Sequence, residues 1–242
     1  MPPTANDILA ARRGLVVAPA GCGKTELIVE TLKVHSGHPA LILTHTNAGV
    51  AALRDRLARA SVSTGRFRLA TIDGWALRLV STYPFRTGSV IDLTANIDYL
   101  RVRELAANLL TSHALNDVLN ATYSRILVDE YQDCSIRQHT IIVALAKQMP
   151  TCVFGDPLQA IFGFGDDPLA AWSTVTATFP QIGELDIPWR WKKVGADDLG
   201  NWIRVVRQQL ETTQPINLIT SCQRVVWKAL TGNFATDIQA QT

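Results

Sequence analysis

The sequence is sparing with cysteine, methionine and charge. Among 242 residues there are four cysteines and two methionines, and 18% of the chain is charged. Cys22, Cys134, Cys152 and Cys222 are widely separated, with no Cys-x-x-Cys pair and no histidine at metal-ligand spacing. That excludes a disulfide scaffold and a zinc module, and leads to the expectation of reduced thiols in a cytoplasmic protein. No apolar run approaches the roughly 20 residues that span a bilayer, and the opening MPPTANDILAARR lacks the apolar centre of a signal peptide, so no membrane partner is expected. Repeats and low-complexity segments are also missing, which excludes solenoids and disordered arrays. A net charge of +2 is too small to argue for a nucleic-acid partner by itself.

The charge is nevertheless uneven. Basic residues exceed acidic ones in the first half and the reverse holds in the second, and Arg54, Arg56, Arg59, Arg66 and Arg68 fall close together. A solvated helix face accounts for such a cluster, so phosphate contact needs a second signal.

What is present is a chain 47% hydrophobic, enough for a substantial core. Short apolar runs at 15–17, 40–43, 67–70, 125–128, 152–154 and 182–187 predict strands, several continuous enough to be buried on both faces. Amphipathic patterns at 25–34, 48–60, 73–80, 136–147, 168–177 and 197–210 predict helices between and after them. This alternation is that of an α/β fold, a parallel sheet with helices on both faces. Residues 82–121 interrupt it with a loop and then helical sequence only, which predicts a small helical insertion.

Two stretches carry chemistry. The first is APAGCGKTE at 18–26, between a predicted strand and a predicted helix. A turn of this kind offers backbone N–H groups and a helix N-terminus to a phosphate. Ala20, Gly21, Cys22, Gly23, Lys24, Thr25 and Glu26 would form the nucleotide cradle, with Lys24 reaching the β- and γ-phosphates and Thr25 ligating Mg2+. Ala18 stands where the strict phosphate-loop pattern has glycine, at the strand end and away from the crowded part of the turn. The second stretch is ILVDEYQD at 126–133, an apolar strand ending in paired carboxylates. At the carboxyl end of a neighbouring parallel strand, beside the phosphate loop, Asp129 is placed to hold Mg2+ and Glu130 to activate a water, whereas alone the pair would also suit helix capping.

With LTHTNAGVAALRDRL at 43–57, TIDGWA at 71–76, VFGDPLQAIFGFGD at 153–166 and IPWRW at 187–191, these stretches occur in an order that resembles motifs I to IV of UvrD/Rep-type superfamily 1 DNA helicases. The resemblance implies a P-loop NTPase lobe of RecA-like fold that binds ATP and Mg2+ and contacts single-stranded DNA. It gives catalytic roles to Lys24, Glu130, Gln159 and Arg190. DNA contacts would come from Thr44, Thr46, Asn47, Trp75, Phe162 and Phe164. The expected organisation is a RecA-like lobe over 1–81 and 122–191, the insertion at 82–121, and a helical tail at 192–242. A separate chain or missing segment would supply a second lobe, since few residues follow Arg190.

The sequence also departs from the family pattern. Residues 1–23 hold no adenine-reading glutamine, His45 stands at a usual phenylalanine, Asp73 at a usual histidine and Gly165 at a usual arginine. A catalytically weak, nucleotide-responsive module controlling a partner such as a nuclease is the alternative reading. A small-molecule kinase finds no place for DEYQD or GDPLQ.

Overall fold

The computed structural model describes residues 2–94, 96–160 and 166–216, with Cys222, Arg224, Val225 and Gly232. The chain divides into two compact units, Met1–Leu185 and Asp186–Thr242. The first is built on six parallel strands, β1 (Arg13–Val17), β2 (Ala40–Thr44), β3 (Phe67–Thr71), β4 (Arg125–Val128), β5 (Thr151–Gly155) and β6 (Gln181–Glu184), in the order β3-β2-β4-β5-β1-β6. All six predicted strands form. The inner strands β2, β4 and β5 are buried at every residue, while β3 and β6 at the edges are partly open, as continuous and mixed apolar runs require.

The helices of this unit are α1 (Ala5–Ala10), α2 (Lys24–Val34), α3 (Asn47–Arg59), α4 (Ile72–Thr82), α5 (Pro84–Thr87), α6 (Tyr99–Thr111), α7 (Asn116–Thr122), α8 (Ile136–Gln148) and α9 (Trp172–Thr178). Alternation along each strand sends side chains to two separate cores. Leu15, Val17, Leu41, Leu43, Ile126, Val128 and Val153 pack with α4, α6 and α8 on one face. Val16, Ala40, Ile42, Leu127, Cys152 and Phe154 pack with α1, α2 and α3 on the other. Each such fully buried aliphatic side chain contributes about 1.5–3 kcal/mol. This is the RecA-like α/β architecture with helices on both faces.

Caps set where several helices begin. Thr46 accepts from the Gly49 amide at the start of α3, and Thr71 from the Gly74 amide at the start of α4. Ser135 and Gln138 form a reciprocal capping box on α8. The expected insertion is helical, but it is no unit of its own: Val102, Leu105, Ala106, Leu109, Leu110 and Leu119 of α6 and α7 complete the core beneath the sheet. In the second unit, α10 (Trp189–Lys192) and α11 (Asp197–Glu211) meet at Gly200, where an added Cβ would come within 3.0 Å of Pro188. The expected break after Trp191 therefore falls earlier, before Asp186.

Candidate functional site

Because all six strands are parallel, their carboxyl ends lie on one edge of the sheet, where open α/β sheets take ligands. The loops after β1, β2, β4 and β5 carry APAGCGKT, HTN, DEYQD and DPLQ to that edge. The acidic strand is not the immediate neighbour of the phosphate-loop strand, as the sequence suggested. Instead, β5 lies between β1 and β4, and it is the reach of Lys24 that joins the two loops.

In the loop after β1, Ala18 is fully buried and its N–H donates to the Gly155 carbonyl at 3.0 Å, so a methyl there continues the strand without entering the turn. Gly21 and Gly23 take left-handed conformations, with φ of 75° and 97°, which only glycine adopts at little cost. Lys24 begins α2 and Thr25 follows in its first turn, with Cys22 buried behind and Ala20 and Glu26 exposed. Such a turn directs N–H groups and a helix N-terminus at an anion.

Lys24 Nζ lies 3.3 Å from Asp129 Oδ1 and forms a second, close ion pair with Glu130 Oε2. Glu130 is in the left-handed region, with φ 53° and ψ 47°, a cost of about 1–3 kcal/mol that is often held at functional sites. The two carboxyls are pushed apart. Burial lifts Asp129 above the usual range against the pull of Lys24, while burial of Glu130 is outweighed by Lys24 and Gln132, which leave it lowered. An acid and a carboxylate separated in this way suit different roles.

A cleft of about 550 Å³ opens here, lined among others by Thr25, Thr44, His45, Thr46, Asp129 and Glu130, with Arg56 and Arg59 at its α3 side. Thr25 and Asp129 supply the kind of oxygen groups a hard divalent cation takes. Sequence reasoning overlooked Asp133, which lines the same cleft with its Oδ1 buried and unbonded. Its position four residues after Asp129 was the available signal. His45 is held down to about 4 by burial, against Asp73 and Glu130, and its Nε2 lies 3.4 Å from Cys134 Sγ. It is thus a neutral, packed side chain.

Gln159 ends the turn Pro157–Gln159 after β5 and donates to Asp156 Oδ2 at 2.5 Å. Thr46 and Asn47 are exposed at the start of α3, but Thr44 is 2% exposed, with its hydroxyl packed against Gly49. Trp75 is corrected outright: at 2% exposure it belongs to the core beneath the sheet and presents no face to a base. Phe162 and Phe164 lie outside the described residues, as does Gly165. Arg190 is in the second unit, exposed on α10 with its guanidinium 5.8 Å from the Trp191 ring centre.

Asp73 is half of an ion pair. Arg103 of α6 donates to both its oxygens at 2.8 and 2.6 Å and to Asp167 at 2.9 Å. Asp167 also accepts from Ser135 Oγ at 2.6 Å and from the Arg137 amide at 3.3 Å. This second cluster ties α4, α6, α8 and the segment after the DPLQ loop together.

Fold and site together define an α/β lobe with an anion-receiving turn facing a lysine-bridged acidic pair. Residues 89–170 match the UvrD/REP helicase N-terminal domain family, the family that the ordered motifs resemble. The RecBCD enzyme subunit RecB of Buchnera aphidicola subsp. Schizaphis graminum is 30% identical over 98 residues, 40% of this chain and 8% of that protein. An ATP-dependent helicase/nuclease subunit from Lactobacillus gasseri is 35% identical over 75 residues, 28% of this chain and 6% of that protein. The chain thus spans under a tenth of the length of these curated relatives. Among solved structures, Arterivirus nonstructural protein 10 (helicase) with DNA is 13% identical over 75% of this chain and 37% of that one, with a TM-score of 0.41. Among the described residues no helix is long and apolar enough to cross a membrane.

Proposed function

We propose that the first unit binds and hydrolyses ATP with Mg2+ and grips single-stranded DNA, as the ATP-binding lobe of a cytoplasmic DNA helicase or translocase. The observation that carries this reading is Lys24 bridging Asp129 and Glu130 beside the left-handed glycines Gly21 and Gly23. Amides of residues 20–25 and the Lys24 ammonium would hold the phosphates, with Glu26 exposed in the same first turn. Thr25 and Asp129 would hold Mg2+, which when bound offsets phosphate charge. Glu130 would orient a water and take its proton as the water oxygen bonds to the γ-phosphorus and the bond to the ADP oxygen breaks.

Gln159 is the residue assigned to sense the γ-phosphate, and Arg190 the one assigned to stabilise the transferring group. Thr46 and Asn47 are the exposed candidates for DNA backbone contact, with Phe162 and Phe164 assigned to base stacking by the motif resemblance. A second RecA-like lobe, from a further segment or another chain, would complete the site. Without its arginine, turnover should be weak, because such a group is worth about 10³–10⁵ in rate.

The test is hydrolysis of ATP by the purified chain with Mg2+, with and without single-stranded DNA, and Lys24→Ala as the blank. Slow turnover that disappears in the variant supports the reading. Equal turnover in both proteins, or none in either, contradicts it.

A further inference from the structure

We propose that Gln132 is a positioning residue for hydrolysis: its side-chain amide aims the Glu130 carboxylate and fixes it to the turn after β5. The inference rests on the ATP-hydrolysis reading above. Gln132 is 5% exposed, in the short turn Tyr131–Asp133 that follows Glu130. Both ends of its amide are engaged. Nε2 donates to Glu130 Oε2 at 2.8 Å, and Oε1 accepts from the Asp156 backbone N–H at 3.1 Å. A backbone N–H can only donate, so the carbonyl end of Gln132 must face Asp156 and the NH2 end must face Glu130. The orientation is set by the backbone at the end of β5.

The chain of bonds continues to the next loop. Asp156, 2% exposed, accepts from the Leu158 amide at 3.1 Å and from Gln159 Nε2 at 2.5 Å. Glu130, Gln132, Asp156 and Gln159 therefore form one line across the carboxyl ends of β4 and β5. Gly155 leaves room for it: a Cβ there would stand 3.1 Å from Gln132 Oε1 and 3.2 Å from the Gln132 backbone nitrogen.

Glu130 needs such a hold because its other partner is contested. Lys24 pairs with Glu130 and Asp129, but the same ammonium is the group that a phosphate would attract. When Lys24 turns to the phosphate, the neutral Gln132 donor still restrains Glu130 without cancelling its charge, so the carboxylate stays in place and stays a base. Misplacement of a reacting group by about 1 Å costs on the order of 10²-fold in rate.

The test is single-turnover hydrolysis of radiolabelled ATP with Mg2+ by the wild type, Gln132→Met, Gln132→Glu and the Lys24→Ala blank, with ATP affinity and melting temperature measured for each. Gln132→Met should slow the chemical step about 10- to 100-fold while leaving ATP affinity within about twofold. Gln132→Glu keeps an acceptor for the Asp156 N–H but sets a like charge against Glu130, so it should be slower still. A merely structural role predicts the opposite order, with Gln132→Met worst because it strands a buried N–H. That opposite order, or wild-type rates in both variants, overturns the inference and leaves the ATP reading standing. Absence of Lys24-dependent hydrolysis in the wild type overturns the reading itself, and the inference with it.

Discussion

Among the described residues of the first unit, the charge clusters around Arg103 and Lys24 are finished differently. Around Arg103 the partners are matched: Asp73 and Asp167 receive its guanidinium, Ser135 and the Arg137 amide complete Asp167, and Gln138 Nε2 adds a bond to Asp73 at 3.0 Å. Around Lys24 one ammonium faces Asp129 and Glu130, Asp133 keeps an unbonded buried oxygen, and the group opens on a cleft. A satisfied network fixes a fold, whereas an unsatisfied excess of one sign is the state a cation or a phosphate–metal pair would complete. The difference separates a structural tie from a candidate reaction site when residue types alone look alike.

The largest effect should come from breaking the matched cluster. Arg103→Ala leaves Asp73 and Asp167 without their cation and should cost about 3 kcal/mol, read as a lower denaturant midpoint with ATP affinity unchanged in the folded protein. If ATP affinity fell as far as stability, the two clusters would not be separable.

Acid should act on the matched cluster in a defined direction. Burial of Asp167 is outweighed by bonds from Ser135, Arg137 and Arg103, so its folded pKa is lowered. Its stabilisation is therefore present above the unfolded value of about 4 and is lost as pH falls through the lower folded value. Asp167→Asn should destabilise at pH 7 by about 2 kcal/mol and by less in acid, measured by urea unfolding across pH. A constant difference at every pH would contradict the assignment.

The unmatched cluster should respond with the opposite sign. Asp129 is raised by burial first, so its ionised form opposes folding at neutral pH. Asp129→Asn should raise stability by about 0.5–2 kcal/mol in the absence of nucleotide while abolishing hydrolysis, the exchange of stability for function common at active sites. A destabilised variant would place Asp129 with the structural group. Smallest is Thr46→Ala, which removes the α3 cap and should cost about 1 kcal/mol, with any larger loss appearing in single-stranded DNA affinity by fluorescence anisotropy.

Much of this was legible in advance, for local reasons. The strands announced themselves as continuous apolar runs, and the lysine and carboxylates as residues at the ends of such runs. The Arg103 cluster was not legible, because Asp73, Arg103 and Asp167 come from distant parts of the chain and meet only through packing. Trp75 was misread although its spacing held the answer: Ile72, Trp75, Ala76 and Val80 form the buried stripe of α4, and helical period outranked motif resemblance. Gln132 passed unnoticed because its role depends on a backbone N–H just past β5 that no local pattern reveals.

If the unsatisfied Lys24 cluster is a nucleotide site and the Arg103 cluster is not, the two part on thermal melting with and without Mg-ATP in the wild type, Lys24→Ala and Arg103→Ala. Binding to the folded state alone stabilises by RT ln(1 + [L]/Kd), about 2.7 kcal/mol at a hundredfold excess over Kd. Mg-ATP should raise the melting temperature of the wild type and of Arg103→Ala from its lower starting point, and leave Lys24→Ala unmoved. An equal rise in Lys24→Ala, or no rise in the wild type, would contradict it.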